Sequence, residues 1–131
     1  MGLAEQSGSR PTILVVDDIP NNLSLISEIL EPHYTVKLVT SGARALSIVA
    51  SQPIDLVLLD IMMPEMDGYE VCRRLKEDPL SKGIPVIFVT SINETDGKTD
   101  WHALGAVDYL TKPIDPEGLL TCVNIHLKLR S

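Results

Sequence analysis

Charged and hydroxyl side chains stand at or just after the ends of four apolar runs in this sequence of 131 residues. The clearest case is IDLVLLD at residues 54 to 60, an apolar run that ends on a carboxylate. Because an ionised carboxylate in an apolar environment needs a compensating partner, these polar groups are candidates for one shared site. The members of this set are Asp17, Asp18, Asp60, Thr90, Ser91 and Lys112.

The segments that would position this set alternate between short apolar runs and amphipathic stretches, as strands and helices do in α/β proteins. Apolar runs predict strands over residues 12–16, 34–40, 54–60, 85–89 and 106–110. Helices are predicted from Pro20 to before Pro32, from Gly42 to before Pro53, and over residues 69–76, 94–104 and 116–129. Five strands, each followed by a helix, predict a doubly wound, five-stranded parallel sheet with five helices.

In a parallel sheet of this kind, ligands bind beyond the carboxyl ends of the strands, where the candidate side chains would meet. Two carboxylates about 4 Å apart repel by about 4 kcal/mol at an effective dielectric constant near 20, so three ionised together need a cation. Oxygen ligands without histidine or cysteine suit Mg²⁺ better than zinc. The pattern therefore indicates a magnesium site at Asp17, Asp18 and Asp60, and phosphate chemistry as its natural use.

The composition is that of one compact, acidic domain. A net charge of -7 disfavours nucleic acid and anionic membranes as partners, since both attract clustered lysine and arginine. Residues 1–11 lack the apolar core of a signal peptide and no run is long enough to span a membrane, so we expect a cytoplasmic protein. We interpret residues 1–11 as a flexible tail and residues 12–131 as the domain. Cys72 and Cys122 lack metal-site spacing and are expected as buried thiols.

Four motifs in order along the chain carry a family resemblance. They are DD at 17–18, DIMMPEMDG around Asp60, VTS at 89–91 and GAVDYLTKP at 105–113. Together they resemble the receiver domain of bacterial two-component response regulators, over residues 12 to about 129. The resemblance implies a flavodoxin-like sheet with strand order 2-1-3-4-5.

The same resemblance implies the chemistry of the site. Asp60 is the expected phosphoacceptor, taking a phosphoryl group from a phosphohistidine on a sensor histidine kinase or histidine phosphotransfer protein. Asp17, Asp18, Asp60 and the backbone carbonyl of Met62 are the expected Mg²⁺ ligands. Lys112 is expected to pair with a phosphoryl oxygen. Such a domain accepts a phosphoryl group and is not an enzyme in the ordinary sense.

The resemblance also implies a switch. Thr90 is expected to donate its hydroxyl to the phosphoryl group and Tyr109 to turn inward, which changes an output surface between the fourth strand and the last helix. The peptide bond between Lys112 and Pro113 is expected to be cis. The last helix has more apolar residues than one docking face needs, which suggests a fragment with a C-terminal output domain, or a homodimer. A stand-alone regulator is the alternative.

Each motif alone also has an ordinary structural explanation. Asp17 and Asp18 are typical of a helix N-cap pair, and Gly68 in MDG is free to adopt a positive φ in a turn. The three histidines, His33, His102 and His126, show no partner pattern and are expected as surface or core residues.

Two other functions are compatible with part of this pattern. A phosphatase of the haloacid dehalogenase type would need a second acid two residues after Asp60, where Met62 stands. A receiver-like module that binds partners without being phosphorylated is the other rival. It is disfavoured because the acidic set is complete in this sequence.

Overall fold

The computed structural model describes residues 10–91 and 101–129. Five parallel strands form one sheet in the order β2-β1-β3-β4-β5, and the described residues contain four helices that pack on it. The strands are β1 (Thr12–Val16), β2 (Thr35–Val39), β3 (Leu56–Asp60), β4 (Val86–Ser91) and β5 (Asp108–Lys112). The helices are α1 (Pro20–Leu30), α2 (Gly42–Ser51), α3 (Gly68–Glu77) and α4 (Pro116–Leu129). The predicted doubly wound sheet and its strand order are confirmed.

The centre of the sheet follows directly from the apolar runs. All five residues of β3 are buried, because this strand lies between β1 and β4 and is covered by helices on both faces. Alternate residues of the strands point to opposite faces, so the core forms two clusters. Leu59 and Phe88 belong to one cluster, and Leu58 and Ile87 to the other.

The parallel register aligns the strand ends that carry the polar set. Val16 pairs with Leu59, Asp60 pairs with Val89, and Ser91 pairs with Lys112. Helix α1 begins at a proline, a favoured residue in the first helical turn, and buries Leu23, Ile26 and Leu30 against the sheet. All five parallel strands therefore end at the same edge of the sheet.

The last strand differs from its prediction. The structure places β5 at Asp108–Lys112, two residues later than the predicted run at 106–110. Its partner β4 sets these bounds, because the pairing runs from Ile87 with Asp108 to Ser91 with Lys112. An edge strand is only half-buried, so its apolar residues are a weak guide to its bounds.

The helix predicted over residues 94–104 has no counterpart among the described residues. Residues 94–100 lie outside the described ranges, and residues 101–105 form turns rather than the end of a helix. Gly105, which follows the predicted helix, has a φ of 97°, a conformation that favours glycine. Across the part of the chain that is described, no helix is long and apolar enough to cross a membrane.

Candidate functional site

Three carboxylates converge at the carboxyl edge of the sheet. Asp17 follows β1 and Asp60 ends the neighbouring β3, and only 1% and 2% of their surfaces are exposed. One carboxylate oxygen from each of Asp17, Asp18 and Asp60 lies within 4.8 Å of the other two. The adjacency of β1 and β3 produces this cluster, since their register fixes where both strands end.

Lys112 brings a positive charge to the same point from β5. Its Nζ lies 3.3 Å from Oδ2 of Asp17 and 3.2 Å from Oδ1 of Asp60. Partial burial by itself lowers the pKa of Lys112, but the charges and hydrogen bonds of Asp60 and Asp17 outweigh it, so the pKa is raised. Lys112 is therefore an ammonium group at neutral pH. The peptide bond that follows it, to Pro113, is cis as predicted.

Asp17 is oriented by the backbone and does not cap the first helix. The N-cap residue of α1 is Ile19, which has no capping side chain. Instead, the backbone N–H of Ile19 donates to Oδ1 of Asp17 at 2.9 Å, which leaves Oδ2 facing Lys112. The N-cap explanation for this aspartate is therefore wrong.

The charges of the cluster fit a divalent cation. Three carboxylates face one ammonium group, which leaves two negative charges uncompensated by Lys112 at a largely buried position. The donors are all hard oxygen atoms, the type that Mg²⁺ prefers. Asp17, Asp18 and Asp60 thus suit Mg²⁺ chemically. Mg²⁺ does not favour a thioether, so Met62 could offer the site only its backbone carbonyl.

Gly68 is a site residue whose role was missed in the sequence. Its expected positive φ is not observed: the positive φ in this turn is at Glu65, with a value of 70°, and Gly68 begins α3. A Cβ on Gly68 would collide with the carbonyl oxygen of Asp60 and lie 2.8 Å from Cα of Ile61. The glycine therefore allows α3 to begin directly against the backbone of the candidate phosphoacceptor. The requirement for glycine at position 68 is evident only from its contact with the backbone of Asp60 and Ile61.

The two predicted switch residues lie on neighbouring strands. Thr90 is fully buried near the end of β4, and its hydroxyl donates to the carbonyl of Ser91 at 3.1 Å. Tyr109, on β5, is 41% exposed, and its ring centroid lies 5.5 Å from that of Trp101. The structure thus shows Tyr109 at the surface and Thr90 in the interior.

The predictions for cysteine and histidine have different outcomes. Cys72 and Cys122 are free and buried, as expected. His126 is partly buried, and its Nε2 lies 3.0 Å from Oδ2 of Asp108, a partner that the sequence pattern did not indicate. His33 and His102 are exposed, as expected. The pairing of His126 was invisible in the sequence because 18 residues separate it from Asp108.

Comparison with known proteins agrees with the fold. The family model for the response regulator receiver domain matches residues 13–124. The chain is 47% identical over 120 residues to a probable cyclic di-GMP phosphodiesterase of Vibrio cholerae, covering 92% of this chain and 27% of that protein. It is 37% identical to protein PilH of Pseudomonas aeruginosa, covering 88% of this chain and 96% of PilH.

A solved structure supports the same relationship. The receiver domain of the sensor histidine kinase PA1611 from Pseudomonas aeruginosa superposes with a TM-score of 0.83 and 28% identity, covering 91% of this chain and 98% of that one. That structure carries a magnesium ion coordinated in its active-site cleft.

The fold and the acidic site define a receiver module of two-component signal transduction. The chain belongs to the response regulator receiver family. It spans about a quarter of the Vibrio cholerae relative, so the activity of that whole protein does not transfer to it.

Proposed function

We propose that Asp60 accepts a phosphoryl group from a phosphohistidine on a sensor histidine kinase or a histidine phosphotransfer protein. The observation that carries this proposal is the convergence of three carboxylates with the Lys112 ammonium at one edge of the sheet. Phosphoryl transfer needs mainly positioning and neutralisation of charge, which this arrangement supplies. The domain acts as an acceptor and is not a turnover enzyme.

The transfer step uses the carboxylate of Asp60 as the nucleophile. One carboxylate oxygen forms a bond to phosphorus while the P–N bond to the donor histidine breaks, and its electron pair stays on the imidazole nitrogen, which takes up a proton. Lys112, 3.2 Å from Oδ1 of Asp60, then pairs with a phosphoryl oxygen. Asp17, Asp18, Asp60 and the carbonyl of Met62 would hold Mg²⁺, which supplies further neutralisation of the phosphoryl charge.

The proposed change of the output surface on phosphorylation depends on Thr90 and Tyr109. The Thr90 hydroxyl would leave the carbonyl of Ser91, its acceptor at 3.1 Å, and donate to the phosphoryl group. Tyr109 would then turn from the surface into the space released. The result is a changed surface on β4, β5 and α4 that a protein partner, an attached output domain or a second copy of this chain recognises. We further propose that residues 12–131 form the functional unit and that it acts in the cytoplasm.

Phosphorylation by a small-molecule donor tests the acceptor role directly. The protein is incubated with acetyl phosphate, with and without Mg²⁺, and its intact mass is recorded beside Asp60→Asn and Glu28→Gln. Glu28 is an exposed carboxylate on α1, so Glu28→Gln controls for the loss of one negative charge. We expect a gain of one phosphoryl group that needs Mg²⁺, persists in Glu28→Gln and is absent from Asp60→Asn. No gain in the parent protein would favour the module that binds partners without phosphorylation.

A further inference from the structure

A second cluster of metal-ligating side chains lies at the opposite end of β5 from the acidic site. Asp108 Oδ2 is 3.5 Å from the Sγ of Cys122 and 3.0 Å from the Nε2 of His126. One ligand atom from each of these three residues lies within 4.8 Å of the other two. Asp108 begins β5 and Lys112 ends it, so the two clusters are separated by about 13 Å along the strand.

Local structure brings these three residues together. Cys122 and His126 are four residues apart on α4 and therefore share one face of the helix. Asp108 lies opposite them on the edge strand. The backbone N–H of Tyr109 donates to Oδ1 of Asp108 at 2.8 Å, which orients the carboxylate so that Oδ2 meets the helix. The arrangement is thus held by backbone as well as by side chains.

We propose that Asp108, Cys122 and His126 form a binding site for a transition-metal cation of the Zn²⁺ class. A thiolate, an imidazole and a carboxylate are the ligands that zinc uses, and Mg²⁺ would not be expected to take the sulfur or nitrogen donor. The carboxylate and the thiolate together balance the two charges of the ion. With three protein ligands, the fourth position of a tetrahedral ion is left for water.

The separations of the ligand atoms suit this assignment. Around a tetrahedral zinc ion with ligand bonds of about 2.0–2.3 Å, neighbouring ligand atoms lie about 3.3–3.5 Å apart. The observed separations of 3.5 Å from sulfur to oxygen and 3.0 Å from nitrogen to oxygen are close to these values. The Sγ of Cys122 and a ring nitrogen of His126 lie within 4.8 Å of each other, and side-chain movement on binding would bring them to the tetrahedral spacing. The thiol loses its proton to solvent when the ion binds.

The same geometry argues against a nucleophilic cysteine at this position. In a triad of that kind a histidine lies between the nucleophile and the acid, whereas here Asp108 lies between Cys122 and His126. Burial and the neighbouring charge of Asp108 raise the pKa of the Cys122 thiol to about 12, so without a metal the thiol stays protonated at neutral pH. A metal-binding role does not require a thiolate before the ion is present, because the thiol is deprotonated when the metal binds.

A metal at this site would affect the output surface. It would tie α4 to the first residue of β5, next to Tyr109 in the chain. The last helix would then be held against the edge of the sheet whatever the state of Asp60. This inference is independent of the phosphoacceptor role.

Titration of the full chain with Co²⁺ tests the site, because Co²⁺ accepts the ligands of zinc and reports them by absorption. A thiolate ligand gives a charge-transfer band in the near ultraviolet that oxygen ligands in the acidic cluster cannot give. The experiment is done with a phosphine reductant and excess Mg²⁺, which occupies the acidic cluster. We expect one equivalent of Co²⁺ to produce the band and Zn²⁺ to abolish it.

Matched variants locate the ligands. Cys122→Ser should lose the band, and His126→Gln should weaken Co²⁺ binding at least tenfold. Cys72→Ser removes the other buried cysteine, and Asp60→Asn alters the acidic cluster; both should keep the band. No charge-transfer band in the unmodified chain would overturn the proposal without relying on any variant. A band that survives in Cys122→Ser, or disappears in Cys72→Ser, would overturn it as well.

Discussion

Replacing Asp60 by asparagine should stabilise the protein when Mg²⁺ is absent. The substitution keeps the shape of a buried side chain at the end of β3 and removes one negative charge from the acidic cluster. Asp17 then keeps its contact with the Lys112 ammonium, and Asp17 and Asp18 have no third anion beside them. The direction of the effect therefore depends on repulsion in the cluster exceeding the attraction to Lys112.

The distances set the magnitude. One oxygen of Asp60 lies within 4.8 Å of one oxygen of each of the other two carboxylates, so each pair repels by about 3.5 kcal/mol at an effective dielectric constant near 20. The attraction between Asp60 and Lys112 at 3.2 Å is about 5 kcal/mol on the same scale. The balance is about 2 kcal/mol of net repulsion, so we expect Asp60→Asn to raise the free energy of unfolding by about 1–2 kcal/mol.

Saturating Mg²⁺ should make the unmodified protein more stable than Asp60→Asn. A ligand at 100 times its dissociation constant stabilises the folded state by about 2.7 kcal/mol. The unmodified protein should gain this amount, while Asp60→Asn gains less because one anionic ligand is lost. The two unfolding curves should therefore exchange places between chelator and saturating Mg²⁺.

Urea and thermal unfolding, each with chelator and with Mg²⁺, measure the effect. For a domain of this size 1 kcal/mol corresponds to about 3–5 °C in Tm. Glu28→Gln is the charge-matched control, and we expect its stability to change by less than about 0.5 kcal/mol in either condition. If Asp60→Asn were less stable than the parent in chelator by more than 1 kcal/mol, repulsion would not dominate the cluster and the reasoning would be refuted.

Two further predictions concern residues outside the charge cluster. Gly68→Ala should destabilise the fold by about 2–3 kcal/mol in chemical denaturation, because the new Cβ meets backbone atoms, whereas Gly83→Ala, in open space, should change stability by less than about 0.5 kcal/mol. Hydrogen bonds from Arg73 and then Arg74 lower the pKa of Glu70 to about 2, so its small stabilising effect should be present above about pH 4 and lost as the pH falls towards 2. NMR titration should show that value, and a double substitution of both arginines by glutamine should return the pKa towards its ordinary range; an unchanged pKa would contradict the assignment.

The sequence by itself determined the central sheet and most of the acidic site. A strand covered on both faces must be apolar throughout, so LVLLD and VIFV identify β3 and β4 without further information. A carboxylate at the end of such a strand must lie at the carboxyl edge of the sheet. Asp17 and Asp60 lie at this edge, as predicted. These aspartates were recognisable as site residues because they are charged and directly follow or end apolar runs.

Only the tertiary structure decided the features that depend on partners distant in the chain. The bounds of β5 follow from pairing with β4, and the need for glycine at position 68 follows from the backbone of Asp60 and Ile61. The contact of Asp108 with Cys122 and His126 joins an edge strand to a helix. Each of these features depends on where two distant segments come into contact. A local residue pattern indicates which side chains a segment buries, but it does not indicate which atoms of another segment they contact.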